Sequence, residues 1–389
     1  MRSTKSCTSL CVVSLLFLLA NAGLSAGVEC FGGKLFNEII HSNPGKNIVV
    51  STFSIETCMA MLRMGADGNT AHELDKALNS TISELNTMAI GFQTKLKKYE
   101  NSNSFKLANK IYVANEYPIN QNFNTIISEQ FLSNAENLDF TQTENAARAI
   151  NEWLLAKTGN EINKLENSLS PATNMLLVSA AHFSGKWKIG FNETWTKLDK
   201  FYIDESDNVI MLPMMKVRSY FRYGRQSAMN AGAILLPYKD LGLSMLVVVP
   251  FRADGLQKVV QTMTTLDIPS FVETNVFQRK RIEFRMPKFK IDTKIDLNDS
   301  LKKIGIEHIF ENGDFDKMLI SPDPLAVNEF IHQTTFEVSE EGDPAPIVST
   351  SDHYNRNNPF FRFSADGPFF YAILSKEFIP LIAGVFVGA

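Results

Sequence analysis

The last fifth of this chain constrains its fold more than any other part. From Phe336 the residues read as a strand that ends at Glu340-Glu341-Gly342, and two intensely apolar runs, Phe369–Leu374 and Pro380–Val387, close the chain. Between them lies a long polar stretch that contains Pro344 and Pro346. Apolar runs with β-branched residues are strands covered on both faces, so both ends of the polar stretch are anchored in a core. A loop of this length inside a folded domain is uncommon, and such loops are functional or disordered.

The chain has 389 residues and a net charge of −4, with an ordinary globular composition. No basic field of the kind nucleic acid requires is present, so none is expected as a partner. Arg279-Lys280-Arg281 is the one dense cationic cluster. At the start of a strand it reads as a solvated edge, with a polyanion site as the minority alternative. Residues 1–22 read as a secretory signal: Arg2 and Lys5, a short apolar run from Cys11 to Leu19, then small residues for cleavage, with Ala26 as a later cut. The run is too short to span a bilayer and nothing after it reads as a membrane span, so a secreted, extracellular protein of residues 23–389 is expected. Cleavage would leave Cys30 and Cys58, too few for a disulfide scaffold, and a bridge between them stays open. Sequons at Asn79, Asn192 and Asn298 suit surface glycosylation.

Helical spacing dominates early in the chain. Ile55, Cys58, Met59 and Leu62 recur on one face after Ser51 and Ser54, both good N-cap types. Thr141-Gln142-Thr143-Glu144 has capping-box spacing, and the apolar stripe of Ala147, Ile150, Trp153 and Leu154 predicts a helix that ends near Thr158-Gly159. Strands dominate later: Leu243–Val249 is continuously apolar, and Ile282, Phe284 and Met286 alternate with Glu283 and Arg285. Asp296–Ile304 predicts a short helix stopped by Gly305. No linker, repeat or low-complexity segment divides the chain, so one α+β domain is expected.

The chain lacks the recognisable enzyme motifs. It has no Gly-x-Ser-x-Gly elbow, His-Glu-x-x-His, phosphate-cradling glycine loop or Cys-x-x-Cys, and its six histidines have no metal-ligand spacing. Asp204-Glu205-Ser206-Asp207 lacks the glycine and closing glutamate of a calcium loop and reads as a turn. Neither enzymatic activity, nor a metal, nor a cofactor is expected.

Several blocks, taken in order, resemble the serpin family. They are Asn47–Ile55, with Thr52 where a proline is usual, then Phe183-Ser184-Gly185-Lys186-Trp187 with Phe191, and Leu236-Pro237-Tyr238 with Leu243-Ser244-Met245. Met286-Pro287-Lys288-Phe289, Asp296-Leu297, Leu301 and Gly305-Ile306 follow, and Asp366-Gly367-Pro368-Phe369 has glycine where the family usually has a polar or basic residue. The resemblance implies a single serpin domain with a large central β-sheet, further sheets, eight or nine helices and an exposed reactive-centre loop at about residues 342–362. It also implies a monomer whose partner is an extracellular serine protease. In the family the protease is acylated by the loop, which then inserts into the main sheet and distorts the bound enzyme. By the same resemblance Ser51, Ser54 and His332 belong to a polar "shutter" beneath that sheet, with Ser179 where His332 usually meets an asparagine. Trp187 marks the point where the loop begins to insert.

Family spacing from Glu340 puts the attacked bond at Arg356–Asn357, whereas counting back from Pro368 gives Asn357. Arg356 is preferred because a guanidinium fills the acidic pocket of trypsin-like enzymes; Tyr354 and Asn357 are the alternatives. The hinge departs from the inhibitory pattern. After Glu340, Glu341 and Gly342, inhibitory members have threonine or serine and then small residues, whereas this chain has Asp343-Pro344-Ala345-Pro346. Insertion would bury the Asp343 carboxylate, at a cost of several kcal/mol (roughly 2–7 even for a neutral polar group). Pro344 and Pro346 lack the backbone N–H a central strand requires. The expected result is a loop that is cut with impaired trapping; a competent inhibitor and a non-inhibitory binding or storage protein are the alternatives.

Overall fold

The structure is a computed structural model that describes residues 30–80, 82–162, 169–206, 208–273, 277–321, 324–343 and 359–388. The signal segment, Pro344, Pro346, Tyr354, Arg356 and Asn357 lie outside the described residues.

In chain order the first elements are α1 (Phe31–Ser42), β1 (Ile48–Val50), α2 (Thr52–Gly65), α3 (Gly68–Leu78), α4 (Ile82–Glu100), β2 (Phe105–Ala114) and α5 (Gln121–Phe131). Next come β3 (Ala135–Leu138), α6 (Thr143–Thr158), β4 (Met175–Ser184), β5 (Lys197–Tyr202), β6 (Val209–Gln226), β7 (Ala231–Pro237) and β8 (Ser244–Pro250). The chain continues through α7 (Leu256–Thr265), α8 (Ile268–Glu273), β9 (Gln278–Pro287), β10 (Phe289–Asp296) and α9 (Asn298–Lys303). It closes with β11 (Val327–Val338), β12 (Phe361–Ser364), β13 (Phe369–Leu374) and β14 (Pro380–Phe386). Helices are concentrated early and strands late, the α+β pattern expected from the sequence. Contacts divide the chain into two compact units.

The first unit comprises the residues up to Ser42, Val50–Phe183 and Asp292–Thr335. Its five-stranded sheet runs β10-β11-β4-β2-β3, with β4 antiparallel to β2 and β3 parallel to it. No strand separates β11 from β4 among the described residues. Helix α2 is buried on nearly every face, which suits its apolar composition. Its N-terminus is capped by Ser51, whose Oγ accepts the Ser54 N–H at 3.2 Å. Helix α6 packs Ile150 and Leu154 against Tyr112 and Val178 of the sheet and ends at Gly159, in the left-handed region at φ 69°. Its expected capping box does not form. Asp139 captures the Thr141 hydroxyl and backbone N–H, at 2.5 and 3.0 Å, and Gln142 becomes the cap residue without a side-chain bond.

The second unit comprises Asn43–Val49, Ser184–Ile291 and the residues from Phe336 on. It carries most of a nine-stranded sheet ordered β1-β14-β13-β8-β7-β6-β9-β12, with β5 paired to β6. The apolar runs of the sequence are its centre: every residue of β8 and β13 is buried. Phe289, Phe336, Tyr371 and Phe386 form an aromatic core, with Phe289 4.6 Å from Phe386 and Phe336 stacked on Tyr371 at 5.0 Å between ring centroids. Arg279-Lys280-Arg281 lies at the start of β9, where among the described residues β9 is paired with β6 alone, because β12 joins it only from Ile282 on. Arg279 and Lys280 are exposed, as expected of a solvated edge, whereas Arg281 is buried.

Candidate functional site

In the second unit β11 ends at Val338, and Glu340–Asp343 lie against Trp187–Phe191. Trp187 N–H donates to Glu341 O at 2.8 Å, Asp343 N–H to Trp187 O at 3.0 Å, Gly190 N–H to Asp343 O at 2.7 Å, and Phe191 N–H to Glu340 O at 3.0 Å. Trp187 also donates its indole N–H to Ser339 O at 2.7 Å and stacks on Tyr238 at 4.3 Å between centroids. A Cβ on Gly342 would come within 2.6 Å of Trp187 O and 2.8 Å of Gly190 Cα, so only glycine permits this approach.

Each acidic residue of the hinge has its own lysine. Glu340 meets Lys288 at 2.7 Å and accepts the Thr196 hydroxyl at 2.9 Å, Glu341 pairs with Lys186, and Asp343 meets Lys239 at 2.6 Å. Burial disfavours the charged form of Glu340, but the bonds from Lys288 and Thr196 outweigh it and hold the carboxyl below its usual range. The hydrogen bond to Asp343 raises Lys239 above the ordinary lysine value. Lys186 and Lys288 fall inside blocks that resemble the family, but neither they nor Lys239 and Gly190 were singled out from the sequence as partners of the hinge. Lys186 and Lys239 stand next to Trp187 and Tyr238, which are neighbours in space, and that adjacency is the available signal.

The first unit holds Ser51, Ser54 and His332 together, all fully buried. The Ser51 N–H donates to His332 Nε2 at 3.0 Å, which fixes the proton on Nδ1. Nδ1–H therefore donates to Ser179 Oγ at 2.9 Å, Ser179 donates to Ser54 Oγ at 3.0 Å, and Ser54 donates to Asn109 Oδ1 at 2.7 Å. Thr334 Oγ1 lies 2.7 Å from Nε2 and donates to it. Ser179 is thus a sufficient partner for His332, and Asn109 and Thr334, which the sequence did not point to, complete the chain. Burial depresses His332 to about 3, so the ring stays neutral.

Among the described residues Cys30 and Cys58 form no disulfide; Cys58 is buried in α2 with its thiol 3.7 Å from Val178 O. Asn79 and Asn192 are exposed at helix ends. Asn298 uses its amide internally, donating to Asn328 O at 2.6 Å and accepting Phe330 N–H at 3.0 Å.

The family model for Serpin (serine protease inhibitor) matches residues 26–388. The chain belongs to the serpin family. It is 32% identical to the protein named Antitrypsin from Bombyx mori over 391 aligned residues, covering 96% of this chain and 98% of that protein. The structure of cleaved Serpin 42Da superimposes with a TM-score of 0.81 at 32% identity, covering 92% of this chain and 96% of that one. Uncleaved ovalbumin superimposes with a TM-score of 0.85 over 95% of this chain and 100% of that one, a likeness of fold alone at 22% identity.

Proposed function

We propose that this protein is a secreted serpin that presents Arg356 to extracellular trypsin-like proteases and is more often cut as a substrate than able to trap them. The carrying observation is Asp343. It is among the first residues that would enter the sheet, and it is bound by its carboxylate to Lys239 and by its backbone to Trp187 and Gly190. Insertion must break all three bonds, desolvate a carboxylate, and then admit Pro344 and Pro346 into a strand ladder. Trapping is a race against hydrolysis of the acyl-enzyme, and each added 1.4 kcal/mol or so of barrier slows insertion about tenfold. Arg356 and the relative named Antitrypsin support trypsin-like specificity. The same relative favours a second reading, a fully competent inhibitor whose stored free energy overcomes the hinge. The protein performs no catalysis of its own, needs no cofactor and acts as a monomer. Asn79 and Asn192 carry its glycans, whereas at Asn298 a glycan would displace the bond to Asn328.

The test is the triple variant Asp343→Thr, Pro344→Glu, Pro346→Ala, incubated with trypsin. A covalent adduct that survives denaturing electrophoresis, weak or absent in the native protein, is expected. If neither protein gives an adduct, the hinge does not explain the poor trapping.

A further inference from the structure

The strand pairing puts an unusual set of residues on one face of β6, β9 and β12. Arg218 lies opposite Glu283, Tyr220 opposite Arg281 and Arg222 opposite Arg279, and on the other side of β9 Arg362 lies opposite Glu283. The protein carries a net charge of −4, yet this face is strongly cationic. Glu283 is shared by Arg218 at 2.6 Å and Arg362 at 3.8 Å, and among the described residues Arg279 has no carboxylate partner.

Aromatic rings hold these cations in place. Arg281 lies 4.0 Å over the Phe360 ring, Arg279 lies 5.2 Å over Tyr220, and Arg218 lies 5.3 Å over Trp195. A ring fixes the plane of a guanidinium without neutralising it, and this applies most directly to Arg279, whereas the charge of Arg218 is shared with Glu283. Arg362 is 86% exposed and Arg218 44%, Tyr220 and Trp195 present 47% and 37% of their surfaces, and Arg279 is exposed, whereas Arg281 is buried. Exposed tyrosine, tryptophan and fixed arginine are the residue types that dominate protein–protein contacts. A polyanion chain would need only the charge, so the exposed rings favour a folded protein partner.

Position in the chain identifies that partner. Phe360 and Arg362 follow Arg356 by a few residues, and an extended chain advances only about 3.3–3.6 Å per residue. A protease engaged at Arg356 therefore lies within reach of this face. We propose that the face formed by β6, β9 and β12 is a docking surface for an acidic patch on the attacking protease, an inference that rests on the reading of Arg356 as the cut site. Its role is to select, among enzymes with the same specificity pocket, those with acidic surfaces.

The test compares anionic and cationic trypsins, which share the acidic pocket and differ in surface charge. Cleavage rates are measured at low (~50 mM) and high (~0.5 M) salt, with the cut mapped by mass. The native protein is expected to be cut after Arg356 about tenfold faster by anionic trypsin at low salt. That preference should vanish at high salt and in the variant Arg279→Glu, Arg362→Glu, which alters exposed side chains only. Equal rates with the cut after Arg356 overturn the docking surface and leave the bait reading intact. Equal rates together with variant-sensitive binding of a sulfated polysaccharide overturn it in favour of a polyanion site. Absence of any cut after Arg356 overturns the bait reading itself.

Discussion

The hinge and the shutter solve one problem, holding polar groups in a mostly apolar protein, in opposite ways. The shutter is neutral and dry: His332, Ser179, Ser54 and Asn109 pass hydrogen bonds along a buried line, and every link depends on the next. The hinge is charged and partly exposed: Glu341 and Asp343 each hold a lysine at an exposed or half-exposed surface, and the buried Glu340 holds the half-exposed Lys288. A buried neutral chain is costly to interrupt and insensitive to salt. Exposed ion pairs contribute little to stability, but they can bias which conformation a segment occupies. The buried chain is therefore a structural device, and the hinge is where the proposed effect of this particular sequence on loop insertion would arise.

Removal of the shutter histidine should produce the largest loss. His332→Ala strands the Ser51 N–H and the Thr334 and Ser179 hydroxyls in a cavity, and urea unfolding should register a loss of about 3 kcal/mol or more. Ser179→Ala leaves the Nδ1 proton without its acceptor and removes the donor to Ser54 Oγ, and a loss of about 1–3 kcal/mol is expected. A stability change for Ser179→Ala within error would mean that the chain is not cooperative.

Acidification separates the two regions by pH window. His332 is neutral in the fold, with its value depressed to about 3 from 6.5, so the unfolded chain takes up the proton first. Stability should be complete above pH 6.5 and fall below it, by at most about 1.4 kcal/mol per pH unit. Glu340 is also depressed, from an ordinary value of 4.5, and its contribution is lost only below that pH. Unfolding curves between pH 7 and 5 should thus respond to His332→Gln and be indifferent to Glu340→Gln in slope.

At the hinge, Gly342→Ala should displace the segment because the added methyl meets backbone atoms that cannot yield. Fluorescence of Trp187 should report the loss of its packing, with a stability cost of roughly 1–3 kcal/mol, like other strained sites. Lys239→Ala should have the smallest effect on stability, since both partners are about half exposed. Its effect should appear in kinetics, as a modest rise in the fraction of protease trapped.

Much of this was legible in the sequence because it depends on burial pattern. The buried runs at β8, β13 and β14, the alternation in β9 and the glycine stop after α6 each follow from local composition. The failed capping box shows the limit: Asp139 stood just upstream with a better-placed acceptor, and spacing alone cannot rank two local competitors. The structure brings Ser51, Ser54 and His332 together and sets Glu340–Asp343 against Trp187, residues the sequence singles out, while Pro344 and Pro346 lie outside the described residues. Lys186, Lys239 and Lys288 were not legible as partners of the hinge, because surface lysines are common and only the folded backbone brings them to the carboxylates. The cation-bearing face was half legible. The run Arg279-Lys280-Arg281 was visible, but the rings that hold its arginines come from elsewhere in the chain, Tyr220 from β6 and Phe360 from the residue before β12.

The central claim is that the hinge makes this serpin a poor trap, and titration with trypsin at several molar ratios tests it most directly. Denaturing electrophoresis shows any adduct, and mass spectrometry shows the cut. The account predicts rapid cleavage after Arg356 with little or no stable adduct. Near-stoichiometric formation of a denaturation-resistant adduct would contradict it, and would show that Asp343, Pro344 and Pro346 enter the sheet fast enough to win the race.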